Sequence, residues 1–345
     1  MTGTRTKYKK RSIGGEKMNL ELPVQRYRLV FAARAGRATP AFAGNVWRGA
    51  FGHALRDAAC LTGAPSCLGC ARRAECAYAY VFETPPPANA ALMRLYPNAP
   101  HPFVLRELTD QAAGTATLQL TLVGRAQALL ALVVQALRQA AQGTHGIDGE
   151  RLSLREVQQE AGLGCETWQR IDCERDLLRP LPSPVALLPA APEAAVRLRF
   201  ITPLRVKREG NAVGAQALDF GALFGTLMRR VSMLQAFHTD TPLQAPFAEL
   251  AARSREVRMR SHLEPAAQQR FSNRQRRAMP MNGLLGWVEL DAVDAQAFWP
   301  FLWLGQFVHA GSATTMGLGC YEIEPAATAG MPAQAASLPA LSQAA

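Results

Sequence analysis

No run of eighteen uncharged apolar residues occurs in this chain of 345 residues, and its first seventeen residues contain no apolar signal core. A transmembrane helix needs about 20 consecutive apolar residues, and a secretory signal needs an apolar core of about 7–15 residues. The sequence therefore predicts a soluble, cytoplasmic protein. A chain of this length can form two domains that each bury their own hydrophobic core.

Nucleotide-binding glycine motifs are also absent. The stretch "HAGSATTMGLGCYEI" contains Gly311, Gly317 and Gly319, but it has neither GxGxxG spacing nor a Gly-Lys-Ser/Thr ending. A nucleotide-cofactor site is therefore not expected. Two interpretations remain open: a tight helix-to-strand turn, because glycine allows positive φ, or a loop whose backbone N–H groups bind a phosphate.

Acidic residues are fewer than basic ones, which leaves a formal net charge of +11. Residues 1–17 carry six Lys or Arg and one Glu, while residues 253–277 carry eight Arg and two Glu, so these two segments account for the whole excess. Clustered basic charge is typical of a polyanion-binding surface. The alternative is a solvated helix face and a disordered tail. We expect a disordered tail at 1–17 and an RNA-binding surface at 253–277, where acidic partners are scarce.

Four of the seven cysteines cluster within seventeen residues, namely Cys60, Cys67, Cys70 and Cys76. Thiols stay reduced in the cytosol, so such a cluster indicates metal ligands before disulfides. Only Cys67 and Cys70 have the CxxC spacing of zinc ribbons. The open alternatives are one structural zinc ion and four unliganded thiols packed under a loop. Four thiolates would close the coordination shell, so a catalytic zinc is not expected.

Hydrophobic periodicity predicts an N-terminal domain at 18–178 that contains the cysteine cluster. The predicted order is strand, helix, strand, strand, helix, strand, which is the ferredoxin-like arrangement. The predicted strands are 24–33, "YAYVFET", 115–124 and 150–157, and the predicted helices are 45–60 and 125–142.

The same order repeats after a proline-rich linker at 179–193. The C-terminal domain is predicted at 194–327, and residues 328–345 form a second disordered tail. The predicted fold class is therefore α+β, with tandem ferredoxin-like (RRM-like) domains, an Arg-rich helical insertion and a C-terminal glycine-rich loop. The predicted elements are strands at 194–201, 284–290 and 317–323, helices at 218–237 and 294–309, and a helical stretch carrying the arginines.

Six segments spread over residues 46–323 resemble one family in order along the chain. The family is that of the CRISPR precursor-crRNA processing endoribonucleases in the RAMP superfamily. The excess of Arg over Lys and the dense Arg segment resemble its type IV branch. The segments are "VWRGAFGHALRDAAC", "CAYAYVFET", "LRFITPLRVK", "RFSNRQ", "MNGLLGWVEL" and "HAGSATTMGLGCYEI".

The resemblance implies cleavage of CRISPR repeat RNA without a metal or any other catalytic cofactor. The 2′-hydroxyl before the scissile bond attacks the phosphate, which gives a 2′,3′-cyclic phosphate and a 5′-hydroxyl. Such a step needs a base, an acid and fixed positive charge. The resemblance also implies that the protein stays bound to the crRNA hairpin and joins other subunits of a CRISPR effector complex.

The first helix of the first domain, where many members of the family place a histidine, contains His53 together with Arg48 and Arg56. Histidine carries protons near neutral pH, and arginine clamps phosphate without titrating. The resemblance thus implies that these three residues are catalytic. His309, at the end of the last helix, is an alternative base.

His53 also has a structural interpretation, as a packed or capping residue. In that case Arg48 and Arg56, with Arg34 and Arg37, would position the RNA and stabilise the developing charge. Two other functions compete with the endoribonuclease. One is a noncatalytic RAMP subunit that caps crRNA in an effector complex; the other is a zinc-stabilised DNA-binding regulator, although no helix-turn-helix pattern is present.

The expected RNA-binding residues are of two kinds. The first are arginines and a lysine, whose positive charge binds phosphate; the second lie in the glycine-rich loop, where hydroxyl groups are expected to contact phosphate. They are Arg34, Arg37, Arg205, Lys207, Arg208, Arg253, Arg255, Arg258, Arg260, Arg270, Arg274, Arg276, Arg277, Gly311, Ser312, Thr314, Thr315, Gly317 and Gly319.

Overall fold

The protein was analysed as a computed structural model of the whole chain. It describes residues 18–33, 44–84, 99–108, 114–143, 146–147, 149–172, 178–182, 188–267, 269–272 and 277–326. The predicted tails at 1–17 and 328–345 lie outside these residues, as do Arg34, Arg37, Arg274 and Arg276. None of the helices in the described part of the chain is long and apolar enough to cross a membrane.

The N-terminal domain is an antiparallel sheet covered on one face by helices. A 3-10 turn at Gly124–Leu129 leads into its last helix. The elements are β1 (Val24–Ala32), α1 (Gly44–Ala59), α2 (Ala77–Phe82), β2 (Phe103–Leu108), β3 (Thr115–Val123), α3 (Leu130–Gln142), β4 (Ser153–Glu160) and β5 (Trp168–Arg170).

The strand order of this sheet is β2-β3-β1-β4-β5, with β1 at its centre. Alternation along β1 directs Tyr27, Leu29 and Phe31 into the core beneath the helices, where each is at most 2% exposed. Arg26 and Arg28 therefore point to the opposite face, toward the second domain. The hydrophobic pattern of one strand thus decides both where the core lies and which face carries the arginines.

The C-terminal domain repeats the arrangement, with the strand order β13-β6-β12-β9. Its elements are β6 (Val196–Leu204), β7 (Lys207–Arg208), β8 (Asn211–Ala212), α4 (Phe220–His238), α5 (Phe247–Ser254), β9 (Arg260–Ala266), β10 (Gln269–Ser272), β11 (Arg277–Pro280), β12 (Gly283–Leu290), α6 (Ala292–Val308) and β13 (Tyr321–Pro325). The prediction of tandem ferredoxin-like domains is confirmed.

Helices α4 and α6 form the core of the second domain through aromatic contacts. The ring centroids of Phe224 and Phe298 lie 4.5 Å apart, and those of Phe220 and Phe298 lie 5.0 Å apart. Asp219 caps α4, because its carboxylate accepts a hydrogen bond from the backbone N–H of Ala222 at 2.6 Å. The apolar helices predicted from the sequence are therefore buried, as their composition requires.

The stretch "YAYVFET" was predicted as a strand, and this prediction is wrong. It forms most of α2, and the second strand of the domain is instead β2. Tyr78 and Phe82 are four residues apart, so helical geometry places them on one face, where their rings stack 5.5 Å apart. A short apolar run fits a strand or a helix equally well by composition, and packing against α1 decides here.

The predicted helical insertion carrying the arginines is also wrong. Helix α5 contains only Arg253, whereas Arg260, Arg270 and Arg277 lie in β9, β10 and β11. Strand β9 pairs with β12 from Gly283↔Ala266 to Glu289↔Arg260, and β10 pairs with β11. Backbone pairing along this ribbon overrides the helical interpretation of the charge pattern.

The glycine-rich segment between α6 and β13 forms a 3-10 turn at Thr314–Met316. Gly317 has φ +84° and Gly319 has φ +71°, a region that favours glycine. A Cβ atom on Gly319 would lie 1.9 Å from Ala310 O, and one on Gly317 would lie 2.8 Å from Leu105 O in β2. The glycines therefore allow a tight turn that packs against the first domain.

Two glycines of α1 give a test of this contact. A Cβ on Gly44 would lie 2.0 Å from Met316 O, whereas a Cβ on Gly49 would meet nothing within 4 Å. Gly44→Ala should lower the free energy of unfolding by about 1–3 kcal/mol through overpacking. Gly49→Ala, the control, should raise it by about 0.5–1 kcal/mol because alanine favours the helix. Denaturant unfolding measures both, and a Gly44→Ala protein as stable as the wild type would contradict the contact.

Candidate functional site

Helix α1 meets the glycine-rich loop at the junction of the two domains. Arg48 is half-buried on this helix, and its Nε donates a hydrogen bond to Thr315 Oγ1 at 3.2 Å. Thr315 itself is only 8% exposed. A side chain on the first helix is thus held by the loop that precedes the last strand.

Arginine and aromatic side chains alternate along the face where α1 packs on α2. The guanidinium carbon of Arg48 lies 5.3 Å from the ring centroid of Phe82, and that of Arg56 lies 5.8 Å from the ring centroid of Tyr78. Gly52 stands between the two arginines, and a Cβ there would lie 3.1 Å from the Phe82 ring. Cation–π contacts therefore fix both arginines.

His53 lies on the exposed side of α1, one turn before Arg56. Within the described part of the chain it makes no hydrogen bond, so its imidazole is open to a ligand. Arg56 donates a hydrogen bond to Ala64 O in the loop after the helix. The structure thus brings Arg48 and Arg56 to the face of α1 that packs on α2 and places His53 one turn before Arg56, facing solvent.

His309, the alternative base, is not on the surface. It is 4% exposed, and its Nδ1 lies 3.1 Å from Leu318 O. Burial, together with the guanidinium groups of Arg106 and Arg230, lowers the pKa of His309 to about 3. The interpretation of His309 as an accessible base is therefore wrong, because the end of α6 is covered by the glycine-rich loop.

Two further histidines lie at the domain junction and were not singled out from the sequence. His238 Nε2 lies 2.7 Å from Pro100 O, and its Nδ1 lies 3.1 Å from Tyr80 Oη in α2. His101 Nε2 lies 2.7 Å from Phe82 O. Burial lowers the pKa of His238 to about 4 and that of His101 likewise to about 4. Both are therefore neutral structural groups.

The hydroxyl-bearing side chains of the glycine-rich loop are hydrogen-bonded or buried within the protein. Ser312 Oγ donates a hydrogen bond to Arg205 O at 3.0 Å, and a Cβ on Gly311 would lie 2.5 Å from the same carbonyl oxygen. Thr314 is 5% exposed. Phosphate contact by Ser312, Thr314 and Thr315 stays a prediction, and the contacts seen here hold the loop to the end of β6.

The basic surface of the second domain is partly exposed and partly paired. Arg255 and Arg258 are exposed between α5 and β9. Arg260 Nη2 lies 3.5 Å from Glu289 Oε2, and Arg253 is half-buried with its guanidinium carbon 5.8 Å from the ring centroid of Phe298. Arg255 and Arg258 therefore offer the more available charge for an RNA phosphate.

The β7–β8 hairpin carries the other basic side chains expected to bind RNA. Lys207 and Arg208 are exposed, and Arg208 Nη2 lies 2.8 Å from Asp219 Oδ2. Arg205 is half-buried, and its Nε is a buried donor with no hydrogen-bond acceptor in the described part of the chain.

A cleft of about 610 Å³ between the two domains was missed by the sequence reasoning. Arg26, Arg28 and Arg106 line one side, and Trp303 and Phe307 of α6 line the other. The signal was present in β1, where arginines alternate with buried apolar residues, but nothing in the sequence showed that a second domain faces them.

Salt bridges and ring contacts hold the arginines in the cleft. Arg26 Nε donates to Glu160 Oε2 at 2.7 Å, and the guanidinium carbon of Arg28 lies 3.9 Å from the ring centroid of Trp168. Arg106 Nη1 lies 3.1 Å from Cys320 Sγ. The cleft therefore combines ion-paired arginines with aromatic surface, and Glu166, Glu322 and Glu324 also line it.

Comparison with known families agrees with this architecture. Residues 22–180 match the N-terminal domain family AF_1859_N. Residues 198–321 match the family CRISPR-associated endoribonuclease Cas6. Residues 198–321 therefore form a domain of the Cas6 endoribonuclease family, the family that the sequence segments resemble.

The fold is similar to that of a solved Cas6 structure. A Cas6 product complex has a TM-score of 0.53 and 18% identity, covering 87% of this chain and 100% of that chain. Thermus thermophilus Cas6 has a TM-score of 0.49 and 17% identity over 90% of this chain and 100% of that one. A RAMP protein binding different RNA substrates has a TM-score of 0.41 and 11% identity over 87% and 99%. No curated protein matches the sequence.

The buried histidines predict how stability depends on pH. Their folded pKa values of about 3 for His309 and about 4 for His238 and His101 lie below the unfolded value. The unfolded chain therefore takes up protons first as the pH falls through about 6.5. Between about pH 6.5 and 5, the free energy of unfolding should decrease by up to about 1.4 kcal/mol per pH unit for each histidine.

Denaturant unfolding at a series of pH values measures this slope. His238→Gln should reduce the slope of the free energy of unfolding against pH by the contribution of one histidine, because glutamine does not titrate. Glutamine still provides a hydrogen-bonding side chain. A free energy of unfolding that is constant between about pH 6.5 and 5 would contradict the neutral, buried state of these histidines.

Proposed function

We propose that this protein is a Cas6-type endoribonuclease that cleaves CRISPR repeat RNA without a metal ion and stays bound to the crRNA hairpin. The observation that carries the proposal is the position of His53, which is exposed on α1 one turn before Arg56. The same helix carries Arg48, which is hydrogen-bonded to the glycine-rich loop. A proton carrier and two fixed guanidinium groups on one helix are the parts that transesterification of RNA needs.

The reaction proceeds by attack of the 2′-hydroxyl on the neighbouring phosphorus. The 2′-oxygen forms a bond to phosphorus and gives up its proton to a base, and the bond from phosphorus to the 5′-oxygen breaks. The leaving oxygen takes a proton, so the products are a 2′,3′-cyclic phosphate and a 5′-hydroxyl. His53 serves one of the two proton transfers, and Arg48 and Arg56 stabilise the charge on the phosphorane.

The RNA stem is bound by the basic surface of the second domain. Arg255 and Arg258 are exposed and, within the described residues, have no carboxylate partner. Arg270 and Arg277 belong to strands β10 and β11, and Arg274 and Arg276 lie outside the described residues; we expect these four arginines to add to the RNA-binding surface. A-form RNA presents phosphates and 2′-hydroxyls rather than readable major-groove edges, which suits arginine.

A protein that keeps its product can deliver it to other proteins. We expect the bound crRNA to be shared with other subunits of a CRISPR effector complex, as the resemblance of the sequence to this family implies. Retention follows physically from the phosphate contacts, because cleavage at one edge of a hairpin leaves the contacts along its stem unchanged.

The function is tested with a cognate repeat RNA in the presence of EDTA. Because the nucleophile belongs to the substrate, cleavage should continue at the same rate in EDTA. It should stop when the nucleotide before the break is 2′-deoxy, and the unmodified product should end in a cyclic phosphate. Loss of cleavage in EDTA, or cleavage of the deoxy substrate, would contradict the mechanism.

The RNA surface is tested by the salt dependence of hairpin affinity. Each phosphate contact releases condensed cations, so log affinity falls with log salt in proportion to the number of contacts. Replacing both Arg255 and Arg258 with alanine should make this slope shallower by roughly one to two units.

Arg170→Ala provides the matched control, because Arg170 is exposed but its Nη2 lies 2.8 Å from Asp172 Oδ2. Its charge is already neutralised, so the salt slope should not change. An unchanged slope for the Arg255 and Arg258 double variant would place the RNA elsewhere on the protein.

A further inference from the structure

We propose that the loop between α1 and α2 is a structural zinc site with four thiolate ligands, Cys60, Cys67, Cys70 and Cys76. The proposal concerns the folding of the first domain and is independent of the RNA chemistry. It is carried by the burial pattern of the loop and by the position of the four thiols around a single cavity.

The loop has no hydrophobic core of its own. None of residues 60–76 is buried, and its two leucines point into solvent, with Leu61 82% exposed and Leu68 79% exposed. A loop of this kind gains little from apolar burial to offset the entropy of ordering its backbone. The partly shielded positions are the four cysteines, Ala64 and Arg73.

All four thiols line one cavity of about 220 Å³. Thr62 Oγ1 lies 3.9 Å from Cys60 Sγ and 3.6 Å from Cys70 Sγ, so these two sulfurs face the same hydroxyl. The four cysteines are free thiols, not disulfides. Sulfur ligands that share a small cavity and remain reduced suit a tetrahedral zinc ion.

The backbone of the loop also has the form of a thiolate metal site. Cys70 N donates a hydrogen bond to Cys67 O at 3.2 Å, which closes the tight turn of the CxxC pair. Arg73 N donates a hydrogen bond to Cys70 O at 3.1 Å, so a second turn follows the pair. The chain therefore folds back tightly at Cys67 and Cys70, as two ligands of one ion require.

The ligand atoms must still move together. In the part of the chain that the structure describes, no three His, Cys, Asp or Glu side chains are gathered closely enough to hold a metal ion. Zinc–sulfur bonds of about 2.3 Å therefore require the cysteine side chains to rotate into the shared cavity. Arg72, Arg73 and Glu75 line the cavity, and Arg72 Nη2 lies 3.0 Å from Glu75 Oε2, so Arg73 supplies the net positive charge beside one zinc ion with four thiolates.

The metal would join the two helices that carry the candidate site. Cys60 directly follows α1, and Cys76 is the N-cap residue of α2. Arg56 donates to Ala64 O within the same loop. A zinc ion would thus fix the end of α1 and the start of α2 without contacting RNA.

Metal analysis and thermal unfolding of the full-length protein test the site. Protein produced with zinc available should contain about one equivalent of zinc. Cys67→Ser and Cys70→Ser should each lose most of it and unfold at a lower temperature, because the free energy of metal binding contributes to folding. Cys165→Ser is the control, because Cys165 is exposed and outside the cluster, and it should keep the zinc.

Cobalt adds a readout that reports on the ligands themselves. Co²⁺ added to metal-free protein should give the visible absorption of a tetrahedral, thiolate-ligated ion, and Zn²⁺ should abolish it. The same titration of Cys67→Ser should give a weaker, altered spectrum. Zinc-free protein from zinc-supplemented cells, a disulfide within the cluster, or zinc content unchanged in both serine variants would overturn the proposal.

Discussion

The close packing of the turn at Thr314–Met316 against the first domain is the contact on which the rest of the structure depends. Gly44 begins α1, and a Cβ on it would lie 2.0 Å from Met316 O. Gly317 lies against β2, where a Cβ would lie 2.8 Å from Leu105 O. Glycine is the residue that permits backbones to come this near. The two ferredoxin-like domains are thereby locked through backbone atoms, not only through flexible side chains.

Neutral histidines reinforce this junction. His238, at the end of α4, joins Tyr80 Oη of α2 and the carbonyl oxygen of Pro100. His238 belongs to the second domain, and its imidazole is hydrogen-bonded to buried polar groups of the first domain. Burial lowers the pKa of His238 to about 4. Because an unpaired buried polar group is costly, these contacts favour one relative placement of the domains. That placement sets Arg48 against Thr315 and leaves His53 exposed on the same helix.

Much of this fold could be predicted from the sequence. The alternation of β1, the apolar face of α3 and the continuous apolar sequence of α6 are strong signals, and each forms the predicted type of element. The sequence was weaker where a short segment fits two states. "YAYVFET" is helical because it packs on α1, and the Arg-rich segment is a β-ribbon because β9 pairs with β12. Tertiary contacts determine both structures, and such contacts cannot be read from sequence periodicity.

The candidate site was predictable only in part. Arg48 and Arg56 could be placed on one helix from their spacing, but their aromatic partners could not, because α2 was taken for a strand. His309 looked like an accessible base from its place after α6, yet its environment depends on a loop that folds back over it. The cleft lined by Arg26 and Arg28 could not be predicted, because no sequence signal shows that the second domain packs against that face of β1.

The single-turnover cleavage rate of His53→Ala, measured together with hairpin affinity, tests the central claim most directly. Asp57→Ala is the matched control, because Asp57 is exposed four residues further along α1. If His53 transfers a proton in the reaction, its loss should slow cleavage by about a hundredfold or more. Affinity should stay near that of the wild type, and Asp57→Ala should cleave normally. A His53→Ala protein that cleaves at the wild-type rate would show that His53 transfers no proton in the reaction.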